Sequence, residues 1–246
     1  MAVPHSATST YLRDFVGAAT VAESVFALRP DYRALLIAVS GIEPAPSDAH
    51  GEELLRRAEV AARRATEDMP VEDQPTIAAW RDAYRAFGAK PQRTRNSVEA
   101  LTRRAETGLP RVNRLTDIYN AISVLHRIPV GGEDLLRYAG SPRLIRATGA
   151  EPFDTTSAGE SVVEFPPAGE VVWCDDAGVT CRRWNWRQAR RTQLSESTTS
   201  ALFILDALAP MTDDELHTAA DELAEHVRAL GPSVHVEQRL VTRSDI

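Results

Sequence analysis

The chain has 246 residues, 43% of them apolar and 26% charged, and a net charge of −7. A single domain of that length buries roughly 70–75% of its unfolded surface, and this composition is neither that of a disordered tail nor that of a disulfide scaffold. The longest uninterrupted apolar stretch, Ala34 to Val39, is far short of the ~20 residues that cross a bilayer, so no membrane insertion is expected.

In chain order, the opening Met-Ala-Val-Pro-His-Ser has neither the basic nor the apolar run of a secretory signal, which makes the cytoplasm the expected compartment. Glu23–Leu28 and Arg33–Ile42 are short runs rich in Val, Ile, Leu and Phe, separated by Arg29-Pro30-Asp31, and read as strand, turn, strand. Ser47–Glu67 then carries apolar residues at helical spacing, with Ser47 or Asp48 able to cap its start. Further helices are predicted at Thr76–Phe87, at Ser97–Thr107 opened by Ser97, and after Pro110. From Pro129 the texture becomes β-like, with strands predicted at Leu144–Ala147, Ser161–Phe165, Glu170–Cys174 and Val179–Trp186, the last two joined by the turn Asp175-Asp176-Ala177-Gly178. Ala201–Leu208 fits a buried strand or the start of a helix. Thr212, with Glu215 at the capping-box position, opens a helix to Leu230, and Val234–Val241 reads as a last strand. With no internal repeat and no low-complexity linker, the expectation is one α+β domain over residues 1–246, a mixed sheet with several packed helices.

Several chemistries find no support. The one lysine, Lys90, lies in Phe87-Gly88-Ala89-Lys90-Pro91, which lacks P-loop spacing and carries a proline where the helix should start. G-x-G-x-x-G, H-E-x-x-H and G-x-S-x-G do not occur. The six histidines, His5, His50, His126, His217, His226 and His235, form no i, i+4 pair, and no metal or other cofactor is expected. Cys174 and Cys181 read as small packing residues rather than as ligands or a redox pair.

The charge is divided. Arg81 to Arg114 holds nine Lys/Arg against three Asp/Glu, and Arg182 to Arg191 holds five Arg and no acid. These segments are either solvated faces or a basic face toward a phosphate backbone on an acidic protein. In Cys181-Arg182-Arg183-Trp184-Asn185-Trp186-Arg187-Gln188, a strand would put Arg182, Trp184 and Trp186 on one face. Such interleaving suits base stacking with phosphate contact, or core packing under cation–π cover. In the segment from Asn113 to His126, Leu115, Ile118, Ile122 and Leu125 share one side of a helix and Asn113, Asp117 and Asn120 the other. Val124 and Ala121 flank that polar stripe, so it is itself expected to be covered, and covered Asn and Asp need specific partners.

Leu109-Pro110-Arg111-Val112-Asn113, Asp117-x-x-Asn120 and Pro129-Val130-Gly131-Gly132-Glu133-Asp134-Leu135 together resemble the B3/B4 domain of the phenylalanyl-tRNA synthetase β chain, over roughly Arg81 to Leu208. In that family the domain is an editing module that hydrolyses tyrosine wrongly esterified to the phenylalanine tRNA, and this chain is similar to a stand-alone copy of it. The family's Thr-Asn pair falls on Tyr119-Asn120, its pocket histidine on Gly131, and the acid expected after Thr198-Thr199 near Ile204, with Asp206 two positions on. His126, on the helix, reads as a surface residue rather than a substitute for that histidine. The resemblance implies a B3/B4-like fold and a site at Asn113, Asp117, Tyr119, Asn120 and Gly131, to which Asn185 and Arg187 are added as substrate-orienting candidates. Arg93, Arg95, Arg182, Trp184, Trp186 and Arg190 are the candidate RNA contacts, and no catalytic residue is singled out. The implied partner is tRNA or aminoacyl-tRNA, with no role for DNA. Three readings stay open: ester hydrolysis in trans, non-catalytic binding of tRNA or of a free amino-acid-like molecule, and docking to another translation protein.

Overall fold

The computed structural model describes residues 5–245, with side chains from residue 9 onward; the Met1–Pro4 start read above for targeting lies outside the described residues. In chain order the elements are α1 (His5–Gly17), β1 (Thr20–Val21), α2 (Glu23–Phe26), β2 (Arg33–Ser40), α3 (Ala49–Asp68), α4 (Pro75–Ala86), α5 (Ser97–Arg104), α6 (Arg114–His126), β3 (Val130–Asp134), β4 (Arg143–Arg146), β5 (Phe153–Ser157), β6 (Glu160–Glu164), β7 (Val171–Asp175), β8 (Gly178–Arg182), β9 (Arg187–Gln188), β10 (Ser200–Ala207), α7 (Asp213–Arg228) and β11 (His235–Val241).

The central layer is an antiparallel sheet in the order β11-β2-β10-β3. Its inner strands β2 and β10 are apolar at nearly every position because both faces are covered. Leu35, Ile37, Val39, Ala201, Phe203 and Leu205 pack with α3, α6 and α7. Ala34, Leu36, Ala38, Leu202 and Ile204 face α1, α4 and a second sheet. That second sheet, in the order β1-β4-β7-β8-β9, is mixed: β1 pairs with β4 in parallel and the other pairs are antiparallel. A hairpin, β5-β6, sets Phe153 into a small cluster with Val172 and Val179. Full burial of a large apolar side chain contributes roughly 1.5–3 kcal/mol, so these two-sided strands anchor the fold.

Local signals place the helices. Asp48 caps α3 by accepting from Gly51 N at 2.8 Å, while Ser47 donates to Asp117 instead. Thr212 and Glu215 form the reciprocal capping box of α7. α5 is capped by Asn96, whose Oδ1 accepts from Glu99 N at 2.9 Å, so Ser97 is its first residue and not its cap. Asn113 caps α6 by accepting from Thr116 N. α6 is buried from Asp117 to Val124 with helices on one side and β3 on the other, so its polar stripe is covered as the flanking apolar residues imply.

Two further expectations are corrected. Glu23–Leu28 is not a strand: Glu23–Phe26 is the short helix α2, which turns Val25 and Phe26 into the core. The strand predicted over Val179–Trp186 ends at Arg182, because Arg183 and Trp184 have left-handed backbone (φ 49° and 69°). The alternation that put Arg182, Trp184 and Trp186 on one face is broken at that bend. Ala201–Leu208 resolves as a strand, pairing with β2 on one side and β3 on the other. No strand was predicted at Val130–Asp134, where two glycines and two acids mask β3.

Gly132 in β3 is required by its neighbour on α6. A Cβ there would lie 2.8 Å from ring carbons of Tyr119 and 2.8 Å from Leu194 Cδ1. Gly132→Ala is therefore expected to destabilise the protein by about 1–3 kcal/mol, measured as a lower urea midpoint, because a packed ring has to move.

Candidate functional site

Between the α1/α4 face of the central sheet and the second sheet lies a cavity of about 230 Å³, partly open to solvent. Several waters' worth of space is present, enough for a small organic ligand. Its floor is one face of the paired strands β3 and β10: Gly131 lies opposite Ile204 and Glu133 opposite Leu202, with Asp206 two residues beyond Ile204 on the same face. Trp173 and Cys181, paired across β7 and β8, form the roof with Trp184 and Trp186. α5 and α6 supply the side wall through Leu101, Tyr119 and Asn120.

Both acids of the floor are buried, Glu133 being 1% and Asp206 2% exposed. The Asp206 carboxylate accepts from Tyr32 Oη at 2.6 Å and from Asn185 Nδ2 at 3.3 Å. Burial nevertheless pushes its pKa up to about 7, against the opposing pull of those donors. Glu133 accepts from the Tyr138 hydroxyl through Oε2, and burial likewise raises its pKa to about 7. Among the described residues, no Lys, Arg or His lines the cavity.

Asn120 is 7% exposed and lines the cavity. Among the described residues its side-chain amide has no hydrogen-bond partner, which leaves a donor and an acceptor free beside the cavity. Asn185 also lines the cavity, but its amide is committed: Oδ1 accepts from Tyr84 Oη at 3.0 Å while Nδ2 donates to Asp206. It orients the acid. Gln188 donates to Gly132 O at 2.8 Å and closes the edge beside Gly131.

The other sequence-predicted residues fall elsewhere. Asn113 and Asp117 secure the start of α6; Asp117 is buried and accepts from Ser47 Oγ at 2.5 Å and from Val112 N at 2.8 Å. Tyr119 is a wall residue whose hydroxyl pKa burial pushes up to about 12. Arg187 points away from the floor and donates to Thr156 O at 3.0 Å. Arg182 is buried between Glu164 and Glu170, at 2.7 Å and 2.8 Å, and Trp184 is fully buried against Tyr32 and Trp80. Trp186 is half-buried, with the Arg183 guanidinium 4.3 Å from its ring. Arg93, Arg95 and Arg190 are exposed; Arg95 lies 3.7 Å from Glu99 and Arg190 3.2 Å from Asp154. The two basic segments do meet, through Ser97 N donating to Asn185 O at 3.1 Å and Arg183 bonding Thr94.

His126 pairs with Glu222 at 2.6 Å, and His50 with His226 at 3.0 Å, in the helical layer away from the cavity. Among the described residues no group of three or more His, Cys, Asp or Glu is placed to hold a metal, and no helix is long and apolar enough to cross a membrane. Cys174 and Cys181 are free, buried thiols whose pKa values burial raises.

These observations define an α+β protein whose acid-floored, tryptophan-roofed cavity sits between two sheets. A family model for the B3/4 domain matches residues 79–231, more than half of the chain, and the protein belongs to that family. Among solved structures, an N-terminal fragment of the phenylalanyl-tRNA synthetase beta-subunit from Pyrococcus horikoshii is similar, with a TM-score of 0.45 and 10% identity. That likeness covers 89% of this chain and 50% of the other, so the chain spans about half the length of the synthetase fragment. No match to a curated protein was found.

The two buried acids set a pH dependence of stability. Their folded pKa values of about 7 lie above the ordinary 4.5 and 3.8, so between those limits the folded protein holds protons that the unfolded chain has released. Their contribution to stability is fully present below about pH 4 and is lost as pH rises through about 7. Urea titrations from pH 5 to 8 are expected to show this decline, and Glu133→Gln or Asp206→Asn to flatten it by on the order of 1–3 kcal/mol each.

Proposed function

We propose that this protein binds the aminoacyl end of a charged tRNA in the cavity and releases the amino acid by hydrolysing its ester in trans. The observation that carries this reading is a cavity lined, among the described residues, by two carboxyl groups and no basic side chain. An α-ammonium group is attracted to such a site, whereas the carboxylate of a free amino acid is repelled. An ester keeps the ammonium and lacks the negative charge, so the electrostatics favour an esterified amino acid over a free one. Membership of the B3/4 family supports the same class of ligand.

Asn120 is the group available to the reacting carbonyl. Its amide can donate to the carbonyl oxygen as negative charge develops there, while a water attacks the carbonyl carbon. The ester C–O bond breaks, the water's hydroxyl stays on the amino acid, and its proton passes to the ribose oxygen that leaves. An activated ester requires positioning more than a nucleophilic side chain. Outside the cavity, exposed Arg93, with Arg95, Arg187 and Arg190, supplies positive charge for the RNA backbone, and half-buried Trp186 offers an aromatic surface near the mouth. In this reading the chain acts as one unit, in the cytoplasm, where charged tRNA is found.

The test is single-turnover release of amino acid from a panel of correctly and incorrectly charged tRNAs. Wild type is expected to release at least one of them above the spontaneous rate, and Asn120→Ala to slow that release by about 10²–10³-fold with an unchanged melting temperature. Charged-tRNA binding that Asn120→Ala abolishes, with no release by either protein, would remove hydrolysis and leave a binding module.

A further inference from the structure

The two floor acids are not side by side. Glu133 lies opposite Leu202 in the β3–β10 register, and Asp206 is four residues further along β10. Along a strand that is about 13 Å between Cα positions, with Gly131 and Ile204 in between. The cavity is thus a trough whose floor has a carboxyl group at each end and an apolar middle, Gly131 and Ile204, with the Asn120 and Gln188 side chains beside it. Gly131 keeps the middle open: a Cβ there would already touch Gln188 Nε2 at 3.4 Å. Trp173, Trp184 and Trp186 border the same space and present aromatic surface to whatever lies in it.

One α-ammonium group can pair with one of these acids and leaves the other without a cationic partner. The neighbours of each acid do not supply it. Asp206 is met by Tyr32, Asn185 and Trp173, and none of them is a cation. Glu133 is met by Tyr138 and Thr180, with Asp175 and Arg191 further off, and Arg191 is already paired with Asp175 at 2.8 Å. Tyr84 and Cys181, also near Asp206, are neutral with raised pKa values.

Resting on the aminoacyl reading above, we propose that the cavity selects an amino acid with a second cationic group, its α-ammonium held at one end of the trough and its side-chain ammonium or guanidinium at the other, Glu133 and Asp206 being the two acceptors. The flexible carbon stem of such a side chain lies along the apolar middle, as the stems of Lys and Arg do on protein surfaces. The tryptophan roof favours a cation beneath it over a neutral group of the same shape.

The test uses amino-acid methyl esters with the intact protein, measuring binding by calorimetry near pH 7. Lysine, ornithine and arginine methyl esters are expected to bind at least about tenfold more tightly than norleucine methyl ester, which has a similar stem and no second charge. Glu133→Gln and Asp206→Asn, checked for folding by thermal melting, are each expected to reduce that preference to less than about threefold. Because the ester ranking is read on wild type, the result does not depend on either variant folding. Equal binding of norleucine and lysine esters, or tightest binding of tyrosine methyl ester, overturns the second-cation assignment while leaving an aminoacyl-ester site in place. Absence of binding by every ester, with charged tRNA also unbound, overturns both readings.

Discussion

The structure depends on one constraint: β2 and β10 are buried on both faces. Their alternating side chains feed two separate apolar clusters, one beneath α3, α6 and α7 and the other beneath α1, α4 and the second sheet. Because the strand period is two, the residues that belong to each cluster are fixed by parity, and a slip of one position would exchange them. The same parity decides which side receives the acids. Asp206 shares the face of Leu202 and Ile204, and Glu133, opposite Leu202, shares it too. The site is therefore a consequence of register, and the layer that closes over it is the second sheet.

Keeping two carboxyl groups on a buried face is an expense the fold does not fully offset. Tyr32, Asn185 and Tyr138 supply hydrogen bonds, yet burial still outweighs them and keeps both acids well above the ordinary carboxylate range. Buried acids elsewhere in the molecule are treated differently. Glu170 is paired with Arg182 and Arg183, and Asp175 with Arg191. Asp117 is surrounded by donors at the start of α6. In each of those cases a cation or a set of donors answers the acid, as a structural role requires. Among the described residues no cation pairs with the two cavity acids, which like Asp117 are met by hydrogen-bond donors alone.

Much of the scaffold was legible in the sequence because its signals are local. The capping residues of α3, α6 and α7, the apolar runs of β2 and β10, and the Asp175–Gly178 turn all depend on neighbours within a few positions. Asn120 was also within reach, as a mid-helix Asn on a stripe that flanking apolar residues implied was covered. The acids were harder to find. Glu133 sits in a Gly-Gly-Glu-Asp run that looks like a turn, and only pairing with β10, some seventy residues later, makes it a strand residue. Asp206 carried a signal that could have been used: an acid directly after five apolar residues, Ala201–Leu205, and before Ala207 and Leu208, has no exposed position to occupy in a central strand. Arg182 and Trp184 illustrate the opposite error, since an arginine- and tryptophan-rich run reads the same whether it faces RNA or a buried glutamate.

The departures from the family pattern also take on a physical meaning. The resemblance set an acid near Ile204, and Asp206, two residues on, lies on the same face of the strand as Ile204. Gly131, on which the resemblance places the family's pocket histidine, lies directly opposite Ile204, so neither inner floor position carries a polar side chain. The middle of the floor strands is therefore apolar and a carboxyl group stands at each end, an arrangement set by the residue identities at four positions and by the β3–β10 register.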